Sequence, residues 1–427
     1  MSPRALRAMM ARLSWGLVDQ AVSSLTNFAV GIFVARELGL LAFGMFSLAW
    51  ITYSVILNVS RGLGTDPLVV RFSRRADDAW RDAVARSSGT ALAVGLAMGA
   101  VCMLAGMAYG GPLGGAFLAL GAMLPGLMLQ DSWRYAFFAS GQGRKACVND
   151  LVWGLALIPA MVLAAQQGTV VAFVLAWGLS GTVAAAYGLV QTRILPSLAG
   201  VRSWLHDQRD LGPRYLIENL SNSGGSQIRM YALGAIAGLS AVGAVRGAEL
   251  LMGPFLAIMM GMSLVTVAEA ARVLRKAPHR LRHFCVIIGA VQGGGALAWG
   301  IVLLLVMPDS VGELLLGDVW VEAQPLILPA AIGVACAGLM NGAASGLRAL
   351  GASRRSLRSQ LVYSAGYVIG GVTGAVLGGA VGSAWGTATA VLFGAAVWWA
   401  QLRIALREHA AAPAVPVTAE NEEVRIA

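Results

Sequence analysis

The 427 residues predict an all-α polytopic membrane protein of about twelve transmembrane helices, in two six-helix lobes related by a pseudo-two-fold axis along the membrane normal. Three observations predict it. The composition is 57% hydrophobic and 12% charged with mean hydropathy +0.71, whereas soluble domains carry about a quarter charged residues. Apolar runs of roughly 20 residues, enough for a ~30 Å hydrocarbon core, recur along the chain. Finally, 28 of the 31 Lys and Arg residues fall in alternate gaps between those runs.

The runs place spans at 14–35, 41–60, 87–109, 113–133, 148–165, 169–190, 213–237, 241–267, 284–307, 323–346, 359–379 and 382–404. They are helical because lipid-exposed backbone must satisfy its hydrogen bonds within each segment. The basic residues cluster before residue 14, from Arg61 to Arg86, Arg134 to Lys145, Arg193 to Arg214, Arg272 to Arg282, Arg348 to Arg358, and after Arg403. The positive-inside rule makes that face cytoplasmic and puts both termini there. The expected organisation is a cytoplasmic N-terminus (1–13), an N-terminal lobe (14–191), a cytoplasmic linker (192–212), a C-terminal lobe (213–404) and a disordered cytoplasmic tail (405–427).

Opposite connections are short except 308–322, which carries Asp309, Glu313, Asp318 and Glu322 and no basic residue. The net charge of +10 then follows from topology and attraction to anionic membrane lipids, so no nucleic-acid partner is needed. The first apolar stretch continues into Arg36 and Glu37 without a cleavage pattern and reads as a retained span. Cys102, Cys147, Cys285 and Cys336 are isolated, which supports neither a disulfide framework nor a metal site. The preference for Arg, 29 against two Lys, hints at a GC-rich bacterial genome, and the expected location is a bacterial plasma membrane.

The chain repeats itself weakly. At an offset of 199, Val18-Asp19-Gln20 matches Ile217-Glu218-Asn219, and Phe43-Gly44-Met45 matches Val242-Gly243-Ala244. At an offset of 210, Ala139-Ser140-Gly141-Gln142-Gly143-Arg144 resembles Ala349-Leu350-Gly351-Ala352-Ser353-Arg354. Six spans per half give both halves one orientation, with substrate between them. Gly366, Gly370, Gly374 and Gly378 form a small-residue face for close helix packing. Gly224-Gly225 and Pro254 are hinge candidates. The segment Arg71 to Arg86, with Trp80, reads as either a short interfacial helix or a solvated linker.

Charges inside spans are costly and mark candidate function. Asp19 and Glu218 hold equivalent places in the first and seventh spans, each among amides and hydroxyls that include Gln20, Asn27, Asn222 and Gln227. Such helices should line an aqueous cleft. The two carboxylates either exchange a proton or sodium ion during transport or are capped by these neighbours. Arg229 and Arg246 belong to the outer half, and Glu249 follows Arg246 at i+3. Either the pair forms a local salt bridge, or Arg229 and Arg246 present guanidinium donors to an anion. Arg36 beside Glu37 reads as an anchor or local ion pair, and Asp131 with Arg134 as another. All four histidines fall in cytoplasmic segments, which excludes a buried histidine relay. No Walker loop, HExxH, GxSxG or paired His/Asp cluster occurs, so no enzyme activity and no cofactor are expected.

One family likeness rests on particular residues. Asp19 through Asn27, then Val34-Ala35-Arg36-Glu37-Leu38-Gly39 and Phe43-Gly44, resembles the start of the Wzx-type polysaccharide flippases of the multidrug/oligosaccharidyl-lipid/polysaccharide exporter superfamily. Trp133 through Ala139 and Val242 through Pro254 extend the likeness over most of 14–404. The resemblance implies alternating access that moves a polyprenyl-pyrophosphate-linked saccharide across the membrane, with Arg229 and Arg246 meeting the pyrophosphate. The chain lacks the dense arginine clustering of peptidoglycan-precursor flippases.

The expected substrate-binding residues are therefore Arg246, Arg229, Asn222, Gln227, Asn27 and Gln20, with Asp19, Glu218 and Glu249 for a coupling proton or sodium ion. Expected partners are a lipid-linked glycan, anionic lipids and glycan-assembly proteins. Two alternatives stand beside this reading. One is a cation-coupled exporter of small amphiphiles that uses Asp19, although few intramembrane aromatics lie near it. The other is a non-transporting scaffold for glycan-assembly enzymes.

Overall fold

The computed structural model describes residues 3–73 and 77–411, with side chains described except at 3–22, 222, 260 and 263–265. Thirteen α-helices follow one another, and no strand occurs among the described residues. They are α1 (Pro3–Ser60), α2 (Asp66–Phe72), α3 (Asp78–Tyr109), α4 (Gly111–Ala139), α5 (Gly143–Gln167), α6 (Val170–Thr192) and α7 (Val201–Asp207). The second half contributes α8 (Gly212–Ala237), α9 (Leu239–Lys276), α10 (Leu281–Ile301), α11 (Asp309–Leu316), α12 (Val319–Ala349) and α13 (Ser353–Ala411). Two of these are each a pair of spans. α1 turns at Gly39 and α13 at Gly378-Gly379, where the backbone leaves the helical region.

Among the described residues, nine helical stretches are long and apolar enough to cross a membrane. Two of the nine contain these turns. The seventh expected span, α8, is absent from the nine because its amides and hydroxyls make it too polar, and it runs as one helix nonetheless. With it the expected spans are present. The helix breaks at the end opposite the basic connections need positive φ. Gly39 (φ 70°) and Gly238 (φ 87°) supply it at equivalent places, 199 residues apart. Gly141 and Gly351, also at positive φ, repeat at the 210-residue offset.

The same offset governs how the halves meet. A Cβ at Gly44 would fall on the carbonyl oxygen of Leu239, and a Cβ at Gly243 on that of Leu40. Leu40 and Leu239, like Gly44 and Gly243, are 199 residues apart. The contact is therefore self-complementary, as across a two-fold axis.

Basic connections gather at one end. Trp204 Nε1 donates to Leu63 O at 3.0 Å, Arg71 reaches the Asp207 carbonyl and the Asp210 carboxylate at 2.7 Å, and Arg86 reaches Asp207 at 2.9 Å, so the linker helix α7 is clasped to the first half. Trp80 lies neither in an interfacial helix nor in a solvated linker. It is in the first turn of α3, whose N-cap Asp77 accepts from Trp80 N at 2.9 Å, and its ring is buried with Leu68, Trp133 and Trp204.

The acidic connection folds into α11, where Asp309 accepts from Trp320 Nε1 at 3.2 Å. α13 continues to Ala411, so residues 405–411 of the expected tail are helical and 412–427 lie outside the described residues. α8 and α9 run unbroken through Gly224-Gly225 and Pro254. The glycine face of α13 lets its two spans touch. A Cβ at Gly374 would meet the Gly382 carbonyl.

The core has an uneven plan. One apolar cluster joins both halves through Val34, Phe43, Val242, Val245, Trp320 and their neighbours, away from the basic end. At the basic end it divides. Leu68, Trp133 and Trp204 form one cluster in the first half, while Leu281, Leu347, Trp398 and Leu402 form another in the second.

Candidate functional site

A central cavity of about 1040 Å³ lies between the halves. One wall is built from α1 alone: Ser24, Asn27 and Phe28 of its first span, and Phe43, Phe46, Ser47 and Trp50 of its second. α8, α9, α12 and α13 build the other, which carries Arg229, Arg246, Glu249, Tyr363, Tyr367 and Thr387. The first wall is aromatic. Trp50 stands 4.8 Å from the Trp177 ring, and Trp177 in turn meets Tyr53 edge-on at 4.7 Å. The second wall is charged.

Its charges form a triad. Arg229 Nη2 donates to Glu249 Oε1 at 2.6 Å, and Arg246 Nη1 to Glu249 Oε2 at 3.2 Å. Each carboxylate oxygen thus holds one guanidinium, and two positive charges face one negative. The i+3 bridge that the sequence offered forms, and a second arginine joins it from α8.

Helix geometry explains the meeting. At ~1.5 Å rise per residue, Arg229 lies about 12 Å before the end of α8 and Glu249 about 15 Å after the start of α9, so the Gly238 turn brings them level. Arg229 is 3% exposed, and its guanidinium lies 5.4 Å from the Tyr367 ring centroid. Its Nε has no partner among the described residues. Gly371 makes room for it, since a Cβ there would sit 2.6 Å from Arg229 Cδ.

The other expected site residues scatter. Asn27 is exposed and lines the cavity. Gln227 is buried, 8% exposed, outside the cavity lining. Glu218 is exposed near the basic end of α8 and does not line the cavity. Asp19, Gln20 and Asn222 lie outside the described side chains. Arg36 stands 3.9 Å from Glu37, the local pair that the sequence offered.

At the basic end, Asp131 takes two bonds from Arg61 at 2.7 and 3.0 Å, and Arg134 stands 3.3 Å from Asp150, so each has a partner on another helix. Sequence reasoning missed the aromatic residues of both walls. Tyr363 and Tyr367, one turn apart in a glycine-rich span, were the available signal.

No protein-family profile matches the chain, and no curated protein sequence matches it. Solved structures do. An inward-facing multidrug resistance MATE family transporter of the MOP superfamily aligns with a TM-score of 0.68 at 16% identity, over 92% of this chain and 96% of the other. The lipid II flippase MurJ in an inward closed conformation aligns with a TM-score of 0.66 at 8% identity, over 92% and 87%. An outward-facing MATE transporter gives 0.57 at 16% identity, over 93% and 95%. The fold resembles that of these solved transporters. At these identities the likeness speaks to architecture: a multi-pass membrane protein of two lobes around a central cavity.

Proposed function

We propose that this protein is a flippase or exporter that moves a polyprenyl-(pyro)phosphate-linked saccharide across a bacterial plasma membrane by alternating access. Its basic end and both termini face the cytoplasm. The observation that carries the reading is the Arg229–Glu249–Arg246 triad in the cavity wall. Two guanidinium groups around one carboxylate leave a net positive charge, and a planar fork suits phosphate oxygens. The buried Arg229 Nε–H, unpaired among the described residues, is a further donor, and leaving such a group unsatisfied costs about 1–3 kcal/mol. The aromatic wall opposite offers Trp50 and Phe46 to sugar rings or isoprenoid carbons.

The architecture shared with a lipid flippase and with multidrug exporters agrees with substrate exchange between lobes. Asp19 and Glu218 remain the proposed proton or sodium sites, and Asn27 is a proposed polar contact in the cavity. A cation exporter would place an unbalanced carboxylate in this wall, whereas the wall has an excess of arginine.

The test is transport of a lipid-linked pyrophosphate saccharide in proteoliposomes. Arg246→Ala should abolish it in folded protein. Transport at the wild-type rate by that variant removes Arg246 from the mechanism. Dye efflux that depends on Asp19, without saccharide movement, favours the cation exporter, and a partner that co-purifies without any flux favours the scaffold.

A further inference from the structure

A second, smaller cavity lies in the C-terminal half, nearer the basic end. It measures about 270 Å³ and is lined by Met259 of α9, Asn341 and Arg348 of α12, and Gln360 and Trp398 of α13, among others. Leu256 and Ala337 belong to both cavities. On each helix the lining steps from the central cavity toward the basic end. Arg348 follows Ala337 by about 16 Å of helix, Met259 follows Leu256, Gln360 precedes Tyr363, and Trp398 follows Val391.

The chemistry of this lining is one-sided. Among the described residues it contains no carboxylate and no hydroxyl. The Arg348 side chain is exposed and has no ion pair with any described residue. Trp398 is 3% exposed, and its indole N–H lacks a partner among the described residues. Among the described residues Gln360 reaches only Ser364 Oγ, at 3.4 Å, while Asn341 donates to Gln292 Oε1 at 3.0 Å. One lining thus combines a guanidinium without an ion pair and a buried indole N–H without a partner, and no carboxylate among the described lining residues offsets them, which favours an anion. Its volume falls just below the ~300–1,000 Å³ of pockets that enclose a drug-sized ligand, so it suits a head group rather than a whole molecule. Met259, Met340 and Leu256 supply an apolar flank, and a Trp with an exposed Arg is the pairing that sits where head groups meet acyl chains.

We propose that this cavity binds the phosphate group of a lipid in the leaflet at the basic end, with Arg348 and the Trp398 indole N–H as its donors. Where that lipid is the transported one, an assignment that rests on the function proposed above, the site is the loading step. The phosphate binds at Arg348 and passes Leu256 and Ala337 to reach Arg246 and Arg229.

Geranyl diphosphate titrated into protein in neutral phosphatidylcholine nanodiscs, followed by calorimetry, tests the assignment. Wild type should bind two molecules, Arg348→Gln one and Arg246→Gln one. Trp398→Phe keeps the ring, removes the donor, and should weaken the second event about tenfold, or ~1.4 kcal/mol. Two bound molecules in Arg348→Gln, or a single event in wild type that Arg348→Gln leaves unchanged, overturns the site. Two bound molecules in Arg246→Gln overturns the central reading alone. Phosphatidylglycerol in the nanodisc separates the sources of the phosphate. Loss of the Arg348-dependent event in wild type identifies a bulk anionic lipid as occupant, and its persistence identifies the lipid-linked substrate.

Discussion

Glu249 sets the charge that the central cavity presents. With it, the triad carries one net positive charge; without it, two guanidinium groups face the cavity and Arg229, 3% exposed, loses its counter-ion. Breaking a buried pair costs about 3–5 kcal/mol, and the lower figure applies because Glu249 is 31% exposed. Glu249→Gln should therefore lower the thermal midpoint in detergent while binding geranyl diphosphate about tenfold more tightly, ~1.4 kcal/mol. Unchanged stability and affinity would mean that Glu249 holds neither arginine. Gly371 tests the same triad from behind. Alanine is the better helix former by about 1 kcal/mol, so on propensity alone Gly371→Ala stabilises α13. Its Cβ would nevertheless sit 2.6 Å from Arg229 Cδ and push the guanidinium off Glu249. Transport in proteoliposomes should fall about tenfold, equivalent to ~1.4 kcal/mol in the barrier, with the fold retained. Full activity in that variant would show that the position of Arg229 is not critical.

Helix crossings explain how much could be read from the chain. The spans and the 199-residue offset were legible because membrane helices leave long apolar runs, and turns that require positive φ leave glycines such as Gly39 and Gly238. The reciprocal fit of Gly44 and Gly243 against Leu239 and Leu40 was half visible. The glycines showed in the sequence, but a carbonyl contact leaves no trace in residue identity. Of the site, the three charges were legible because ions inside spans are rare. What joined them was not, since Arg229 and Glu249 are 20 residues apart on different helices. The partners of Asp131 and Arg134 were hidden in the same way, whereas the tyrosines of α13 left a signal in their one-turn spacing. The crossing itself gives a prediction. Gly44→Val places a side chain on the Leu239 backbone, which has no room to move away while α1 and α9 remain crossed. Spin labels at the exposed positions Leu41 and Ile236 should separate in that variant, as measured by pulsed dipolar spectroscopy. Unchanged distances would show that the crossing is not what closes this end.

The two ends of the molecule are held shut by different forces. Away from the basic end, a single apolar core runs through both halves, so parting them there exposes hydrocarbon to water. At the basic end the cores are separate, and the end of α1, residues 61–65 after it and the start of α2 meet α8 through polar contacts and one close backbone approach. Asn58 Nδ2 donates to Ser223 Oγ and Asn219 Nδ2 to Asp66 Oδ2, both at 2.8 Å, and Gly62 lies against the backbone of Leu216. Such bonds contribute only about 0.5–1.5 kcal/mol each, because water replaces them when the seam opens. The basic end is therefore the easier one to open, by a margin of the few kcal/mol that separates the conformers of a working transporter. If substrate enters there, holding this seam closed must stop turnover even though the triad is intact. Cysteines at Asn58 and Ser223, with the four native cysteines replaced by alanine, bridged by a short bis-thiosulfonate reagent, should block saccharide transport in proteoliposomes, and reductant should restore it. The same bridge should leave geranyl diphosphate binding at the Arg348 site intact, because Arg348 lies on α12 outside the seam. Undiminished transport through a fully bridged protein would show that this seam does not part during the cycle, and the two halves would have to exchange substrate along another face.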